Sequence, residues 1–160
     1  MKKFILIAAL MIASVAAFAQ SGKSIYQKYS DCEKVGAVYI SPAMFRLIGQ
    51  IPDLEVEDED INLTPIIKSL KGLYLINSEN PDIRESVIKD VERFVDSDAY
   101  ELLMEAKEEG ETVRIFTMGN EQTVKGFVML AIEAAELTFI CIDGEMDRND
   151  LNATFAKMMK

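Results

Sequence analysis

The sequence predicts an α+β fold in which helices pack on a mixed sheet of about five strands. Three apolar segments separated by short polar breaks lie between residues 112 and 144, and they predict a three-strand antiparallel meander. Upstream, segments with the apolar spacing of strands alternate with segments that have the spacing of amphipathic helices. Two strand–helix–strand connections of this kind favour some parallel pairing in the same sheet.

The predicted meander begins with residues 113–118, whose side chains alternate between two faces as a half-buried strand requires. Gly119 and Asn120 predict a two-residue turn, because glycine tolerates the positive φ of such turns. Residues 123–132 form the second strand, although part of this segment also has good helix propensity. Residues 137–142 are apolar on both faces, which predicts a strand inside the sheet rather than at its edge.

The N-terminus has the three parts of a secretory signal peptide. Met1-Lys2-Lys3 is basic, an apolar segment follows, and Ala17-Phe18-Ala19 is a small-x-small cleavage site. The apolar segment is shorter than the roughly 20 residues that a transmembrane helix needs. We therefore expect a signal peptide over residues 1–19, cleaved between Ala19 and Gln20. The expected product is one soluble domain, residues 20–160, in the periplasm or outside the cell.

The charge of the chain restricts its partners. The 17 basic and 27 acidic residues give a net charge of −10, and removal of Lys2 and Lys3 leaves 15 basic residues and a net charge of −12. Such a chain is repelled by nucleic-acid phosphates and by anionic lipid surfaces. We expect no nucleic-acid partner and no membrane insertion after cleavage.

A helix and a strand are predicted directly after the cleavage site. Ser24 and Gln27 have the spacing of a capping box, which predicts a helix over residues 24–34. Cys32 shares a face of that helix with apolar residues and is expected to point to the core. The composition of Val35–Ile40 predicts a strand.

Three further helices are predicted to begin with the same device, a polar N-cap followed by proline at the first helical position. The pairs are Ser41-Pro42, Thr64-Pro65 and Asn80-Pro81. Gly49 is expected to end the first of these helices in the left-handed conformation. The second helix covers residues 66–71, and Gly72 leads from it into a strand over residues 73–76.

The third of these helices is the longest, because its apolar residues keep the 3.6-residue period over several turns. These residues are Ile83, Val87, Val91, Phe94 and Val95. Glu85 and Lys89 are spaced for an i,i+4 ion pair on the exposed side.

Two more helices are predicted nearer the C-terminus. Asp98 and Glu101 have a capping spacing, which predicts a helix over residues 98–107 with three apolar side chains inward. These side chains are Tyr100, Leu103 and Met104. After the meander, Asp147 or Asn149 can cap a final helix. Its residues spaced for burial are Leu151, Phe155 and Met158.

Five segments of the chain resemble a known family pattern. They are Tyr29-Ser30-Asp31, Val38-Tyr39-Ile40-Ser41-Pro42-Ala43-Met44, Tyr100-Glu101-Leu102-Leu103-Met104, residues 125–130 and Ile142-Asp143-Gly144. Together they resemble an exported family of Bacteroidota known as domain of unknown function number 4252. The resemblance covers nearly all of the chain after the cleavage site and implies an envelope or secreted protein of small α+β type. It brings no catalytic or ligand-binding residues and no assigned substrate.

The residue types that most enzymes rely on are missing from the sequence. The absence of histidine removes the commonest general base, the Ser-His-Asp and Cys-His arrangements and the usual zinc ligands. The glycines are scattered singly, so there is no glycine-rich phosphate loop. A pair of carboxylates could act as acid and base, but none stands out among 27. We expect a protein that is not an enzyme and has no cofactor, with a small carboxylate-based hydrolase as the alternative.

An acidic run in the first half of the chain is a candidate calcium site. Its carboxylates are Asp53, Glu55, Glu57, Asp58, Glu59 and Asp60. Clustered oxygen ligands suit calcium, but this run lacks the glycine turn and the regular spacing of a dedicated loop. Mutual repulsion of the carboxylates predicts a solvated loop instead, and both interpretations remain open.

A second, weaker calcium candidate starts at Asp143. Asp143, Glu145 and Asp147 stand at the first, third and fifth positions of a calcium loop, but Arg148 stands where such a loop needs glycine. A turn followed by a helix cap explains this segment better.

Cys32 and Cys141 are the only two cysteines. Export would place them in an oxidising compartment, where a disulfide could join the first helix to the innermost strand. Both also lie on apolar faces, where a reduced cysteine packs as a small hydrophobic residue. The sequence leaves both possibilities open.

Export, compactness and the missing catalytic residue types favour a non-catalytic binding or interaction module of the bacterial cell envelope. Its expected partner is another envelope protein. An exposed apolar patch would locate the partner surface. A deep pocket with two nearby carboxylates would favour the hydrolase, or a protein that binds a small ligand or calcium.

Overall fold

A computed structural model describes residues 21–50, 55–56, 61–62, 64–97 and 100–158, so the predicted signal peptide lies outside the described residues. The described helices are α1 (Gly22–Tyr29), α2 (Pro42–Ile48), α3 (Thr64–Ser69), α4 (Pro81–Ser97) and α5 (Arg148–Met158). The described strands are β1 (Val35–Ile40), β2 (Glu55–Val56), β3 (Ile61–Asn62), β4 (Leu70–Ser78), β5 (Glu101–Glu108), β6 (Glu111–Gly119), β7 (Thr123–Ile132) and β8 (Leu137–Asp147). The predicted α+β class is confirmed.

Six of the described strands form one sheet in the order β1-β4-β8-β7-β6-β5, and β2 pairs with β3 separately. Every neighbouring pair in the sheet is antiparallel. The sheet therefore has six strands rather than about five, and the expected parallel pairing is wrong. Helix α4 does connect two strands that run in the same direction, β4 and β5. Three strands lie between them, so they do not pair.

The C-terminal meander is confirmed as β6, β7 and β8, and the doubly apolar β8 lies between β4 and β7 inside the sheet. The turn after β6 is longer than predicted. The Asn120 amide donates to the Thr123 carbonyl at 2.8 Å, and the Asn120 side-chain oxygen accepts from the Gln122 and Thr123 amides at 2.9 and 2.8 Å. Gly119 is needed for close approach rather than for positive φ, since an added Cβ would lie 2.2 Å from the Thr123 oxygen.

The largest error of the sequence prediction concerns residues 98–107, which were expected to form a helix. Residues 101–108 form the edge strand β5 instead, and all eight of its residues are exposed. A tight turn joins β5 to β6, with positive φ at Glu109 (46°) and Gly110 (91°), as in the turns that match strand twist. Pairing with β6 therefore overrides the helix propensity of glutamate, leucine, methionine and lysine.

Helix α4 agrees with its prediction. The Asn80 side chain accepts from the Asp82 amide at 2.9 Å, and the predicted Lys89–Glu85 ion pair has an N–O distance of 2.6 Å. Four of the five predicted apolar residues are buried, and the fifth, Ile83, packs at the edge of the core. In α2, Ser41 is the predicted N-cap, but Gly49 ends the helix with φ of −67° rather than in the left-handed conformation.

The other helix boundaries differ from their predictions. The capping box of α1 is formed by Ser21 and Ser24 rather than by Ser24 and Gln27, and α1 ends at Tyr29, before Cys32. Helix α3 ends at Ser69, and β4 runs from Leu70 to Ser78, so that strand is longer on both sides than predicted.

In the final helix Leu151 is 7% exposed, as predicted for a core residue. The side chains of Phe155 and Met158 lie outside the described residues, so their predicted burial remains a prediction.

The core lies on one face of the sheet, which we call the helix face. Its central residues are at most 7% exposed, and they are Tyr74 and Ile76 of β4, Val128 and Leu130 of β7, and Phe139 and Cys141 of β8. Helices α1 and α4 supply the residues that pack on them, including Ile25, Tyr29, Val91 and Phe94. Apolar side chains therefore repeat every two residues along the strands and about every 3.6 residues along the helices, and the two sets pack against each other in this layer.

A buried carboxylate connects the two helices. Asp90 of α4 is 5% exposed and accepts from the Tyr29 hydroxyl at 2.7 Å and from the Lys28 ammonium at 2.6 Å. Burial, followed by the hydrogen bond to Asp90, raises the pKa of the Tyr29 phenol. The hydrogen bond to Asp90, followed by that to Tyr29, raises the pKa of Lys28. This network of Lys28, Tyr29 and Asp90 holds α1 against α4.

Replacement of Asp90 by alanine leaves the Tyr29 hydroxyl buried without this acceptor, and we expect a loss of about 1–3 kcal/mol in the free energy of unfolding. Chemical denaturation measures the loss. Asp96→Ala, an exposed position on the same helix, is the matched control and should change the free energy by less than about 0.5 kcal/mol. Equal effects of both substitutions would contradict this role of Asp90.

Candidate functional site

The calcium site predicted at the acidic run stays a prediction, because its carboxylates cannot be placed from the described residues. The side chains of Asp53, Glu55, Glu57, Asp58, Glu59 and Asp60 lie outside the described residues. Among the residues that the structure describes, no group of three or more potential ligands could hold a metal ion.

The second calcium candidate is a strand and a helix cap. Asp143 and Glu145 belong to β8, and the Glu145 carboxylate accepts from the Lys71 ammonium at 2.7 Å. The Asp147 side chain accepts from the Asn149 amide at 2.8 Å, as expected of a cap for α5. These carboxylates therefore serve the strand and the helix end instead of forming a loop.

The two cysteines do not form a disulfide in the structure. Cys32 lies in the turn after α1 and is half-buried, whereas Cys141 is 0% exposed in the core. The Cys141 thiol donates to the Asp143 carboxylate at 3.6 Å. A Cβ added to Gly22 would lie 2.3 Å from the Cys141 sulfur, so α1 begins against this side chain.

Three tyrosines form a cluster beside the edge strand β1. The rings of Tyr39 and Tyr74 stack with centroids 5.1 Å apart, and the Tyr26 ring lies 6.0 Å from each of them. Tyr39 is 45% exposed and Tyr74 is 7% exposed. Burial, with smaller contributions from Tyr39, Asp143 and Cys141, raises the pKa of Tyr74 to about 12.

The face of the sheet opposite the helix face carries a continuous line of apolar side chains, which we call the apolar row. Directly opposed residues of neighbouring strands share a face, so the register assigns one residue of each strand to the row. In sheet order they are Val38, Leu75, Ile140, Met129, Ile115 and Met104. The row thus crosses the whole sheet from edge to edge.

The apolar row keeps contact with solvent. Its two end residues, Val38 and Met104, are each 46% exposed, and its four central residues are half-buried. On the helix face the corresponding side chains of β4, β8 and β7 are at most 7% exposed. Helices α3 and α5 pack near Phe127 at one end of this second face, where Val124, Met146 and Leu151 are buried. The apolar row is therefore exposed at both edges of the sheet and half-buried across its centre, and apolar surfaces that keep contact with solvent are candidate binding sites.

A groove of about 310 Å³ lies between helix α4 and the edge of the sheet. Its apolar lining consists of Val95, Leu102 and Phe116. Its charged lining consists of Glu92, Asp96, Glu105 and Arg114. Arg114 donates to Glu92 and to Glu105, with N–O distances of 2.9 Å each.

Ion pairing shifts the pKa values of two residues of this groove, Glu105 and Arg114. The hydrogen bonds from Lys107 and then Arg114 lower the pKa of Glu105. The hydrogen bonds of Arg114 to Glu92 and to Glu105 raise the pKa of Arg114, although burial acts in the opposite direction. A catalytic acid in glycoside hydrolysis needs a raised carboxyl pKa, which is the opposite shift to that of Glu105. The groove can hold a charged side chain, but Glu105 does not have the electrostatics of a proton donor.

The sequence predicted neither the residues of the apolar row nor those of the groove beside α4. The row was hidden because β7 and β8 are apolar on both faces, so their sequences do not say which face the helices bury. Met104 and Leu103 were assigned to the inner side of a helix, whereas both are exposed on β5. The alternation within residues 113–118 was the available signal, since it places Val113 and Ile115 together on one face.

The fold defines a small α+β protein built on one six-stranded antiparallel sheet. A family model described as Domain of unknown function (DUF4252) matches residues 29–154, and the chain belongs to that family. No curated protein and no solved structure matches the chain. No helix within the described ranges is both long and apolar enough to cross a bilayer.

The state of the cysteines can be measured by alkylation without reductant. We expect the native protein to be modified rapidly at Cys32 only, because Cys141 is 0% exposed. After unfolding in denaturant, still without reductant, mass spectrometry should find both thiols modified. If neither thiol reacts until a reductant is added, the two cysteines are joined and the structure is wrong on this point.

The shifted tyrosine pKa predicts a loss of stability in alkali. The pKa of Tyr74 is about 12 in the folded protein and about 10 in an unfolded chain, so the neutral phenol stabilises the fold below about pH 10. This stabilisation is lost as the pH rises from about 10 towards 12. In Tyr74→Phe the free energy of unfolding should fall less steeply over that window, as measured by denaturation at each pH. An unchanged slope would contradict the assignment.

Proposed function

We propose that this protein is an exported, non-catalytic interaction module of the bacterial cell envelope, and that a partner protein binds the apolar row. The observation that carries the proposal is the difference between the two sheet faces. One is buried by α1 and α4, while the other presents apolar side chains from all six strands with two of them 46% exposed.

The area of the row is suited to a protein partner. Strands lie roughly 4.8 Å apart, so six of them span about 24 Å across the row. The exposed apolar surface is a strip along the row itself, because the flanking positions of this face include polar or buried residues. Asn77 donates to the Thr138 hydroxyl at 3.0 Å, and Thr117 and Ala131 are each 8% exposed. An apolar strip that crosses a whole sheet is a candidate surface for a protein partner.

The chemistry of the row also favours a protein over a charged ligand. Its six residues carry no charge or hydrogen-bonding side chain, so they would contribute apolar contact and shape rather than ion pairing. A flat apolar surface gains most from a partner that covers it completely and excludes water. The neighbouring Val113, which is half-buried, extends the apolar surface along β6.

Location in the cell envelope is supported by the sequence features of the N-terminus. The basic start, the apolar segment and the cleavage site before Gln20 are those of an exported protein. The net charge of −10 disfavours nucleic acid and anionic lipid as partners, which leaves protein partners as the favoured class.

A charge placed in the centre of the apolar row should abolish partner binding without unfolding the protein. Met129→Lys puts an ammonium on a half-buried position of β7, and Leu47→Lys makes the same change at a residue of α2 that is 61% exposed. Each tagged variant would be crosslinked in intact cells of the native host, captured and analysed by mass spectrometry. We expect a near-stoichiometric envelope partner with the unmodified protein and with Leu47→Lys, and its loss with Met129→Lys.

Circular dichroism would establish that both variants are folded. Retention of the partner by a folded Met129→Lys would contradict binding through the apolar row. Recovery of this protein alone in every sample would contradict the interaction module itself.

A further inference from the structure

The edge strand β5 presents an unusual combination of exposed apolar and acidic side chains. Leu102, Leu103 and Met104 are 53%, 57% and 46% exposed, and glutamates stand on both sides of them. β5 is the last strand in the order of the six-stranded sheet, so no strand of the described part of the chain pairs with its outer edge. Proteins commonly protect exposed edges from indiscriminate pairing with charged side chains and bulges, and β5 has both. A strand that pairs with this edge must therefore complement its charges.

A bulge in β5 divides its side chains between the two faces of the sheet. Leu102 is opposite Phe116 and Met104 is opposite Ile115, so Leu103 is the extra residue. Leu102 and Glu105 therefore lie on the helix face, where they line the groove beside α4. Met104 lies on the second face at the end of the apolar row.

A strand added to this edge would meet a different chemistry on each face. On the second face its side chains would lie beside Met104 and continue the apolar row. On the helix face they would lie beside Leu102 and Glu105, at the opening of the groove. Directly opposite side chains in antiparallel strands are about 5 Å apart, so these contacts would be direct.

The groove favours a cationic side chain with an apolar stem. Three carboxylates and one guanidinium line it. Arg114 is shared between Glu92 and Glu105, and Glu105 also pairs with Lys107 at 2.7 Å. Asp96 is the third carboxylate and is exposed at the end of α4. Val95, Leu102 and Phe116 provide the apolar lining along which a lysine or arginine stem can lie.

We propose that the outer edge of β5 and the adjoining groove bind an extended segment of another protein, in which apolar residues alternate with lysine or arginine. The segment adds a seventh strand to the sheet. Its apolar side chains extend the apolar row beyond Met104, and a basic side chain enters the groove towards Asp96. This mode is strand addition, in which backbone hydrogen bonds give affinity and alternate side chains give specificity.

The charge of the chain selects this partner over a second copy of the same protein. Two copies paired through β5 would bring together the glutamates at both ends of the strand on molecules that each carry a net charge of −10. Like charges across a strand pair are destabilising, whereas opposite charges stabilise it. A basic segment is therefore the occupant that the electrostatics favour.

The test uses nine-residue peptides that alternate valine with lysine, and matched peptides that alternate valine with glutamine or with glutamate. We expect the lysine peptide to bind at least about tenfold more tightly than the glutamate peptide, as measured by titration. Backbone amide shifts in the NMR spectrum should concentrate in β5 and in the last turn of α4. Failure of the lysine peptide to bind at about 1 mM, or shifts concentrated elsewhere, would overturn the proposal.

Two controls separate strand addition from general attraction to an acidic protein. Asp96→Lys should weaken binding of the lysine peptide about tenfold, while Asp31→Lys should have no effect. Asp31 is also exposed but precedes β1, at the opposite edge of the sheet. Two further peptides carry N-methyl groups on either the odd-numbered or the even-numbered residues. Only one of these two sets should abolish binding, because only one edge of the added strand pairs with β5. Equal effects in either comparison would overturn the proposal.

The same variants separate this inference from the proposed function. Met129→Lys lies in the centre of the apolar row, three strands away from the added strand, and should leave binding of the lysine peptide unchanged. A dimer in sedimentation experiments that forms through β5, and with which the lysine peptide does not compete, would assign the edge to a second copy and overturn the proposal.

Discussion

The contact between the helix face and helices α1 and α4 is the interaction on which the rest of the structure depends. Phe139 and Cys141 of β8 are each 0% exposed at its centre, with paired strands on both sides. The layers approach closely enough that α1 begins with glycine, because a Cβ at Gly22 would lie 2.3 Å from the Cys141 sulfur. Asp90 then fixes the two helices to each other through Lys28 and Tyr29.

One consequence of this contact is an asymmetric sheet. Two helices bury the helix face, and among the residues that the structure describes the smaller cluster around Val124, Met146 and Leu151 covers one end of the second face. On the second face, beyond this cluster, the apolar row extends to both edges of the sheet. A half-buried apolar surface of this kind costs solvation free energy in the isolated molecule, and covering it with a partner recovers that free energy. This asymmetry between the two faces supports the proposal that the protein is an interaction module.

The described carboxylates fit the same account. Glu92 and Glu105 share Arg114, Glu145 pairs with Lys71, and Asp147 caps α5, so each has a structural role. The groove beside α4 satisfies the condition of two nearby carboxylates that would have favoured a hydrolase. The bridging guanidinium and the lowered pKa of Glu105 make it a place for ion pairing instead.

Local patterns predicted some elements well and others poorly, for reasons that particular residues show. Val35–Ile40, the start of α2 at Ser41 and the whole of α4 depend on local signals, namely strand composition, caps and the 3.6-residue period. β5 depends on its pairing with β6, and the sequence of Leu102, Leu103 and Met104 by itself favours a helix. Strand order and the identity of the exposed face are also non-local. The apolar row therefore became visible only when the register of all six strands was known.

Binding through the apolar row requires that the row is open to solvent in the isolated protein, and methionine methyl groups report on its exposure directly. Met129 and Met104 belong to the row, whereas Met146 is 3% exposed in the cluster near α5. A soluble paramagnetic probe should strongly broaden the NMR signals of the Met129 and Met104 methyl groups and leave that of Met146 sharp. If the Met129 and Met104 signals are as well protected as that of Met146, the row is already covered and the account of this protein as an interaction module is contradicted.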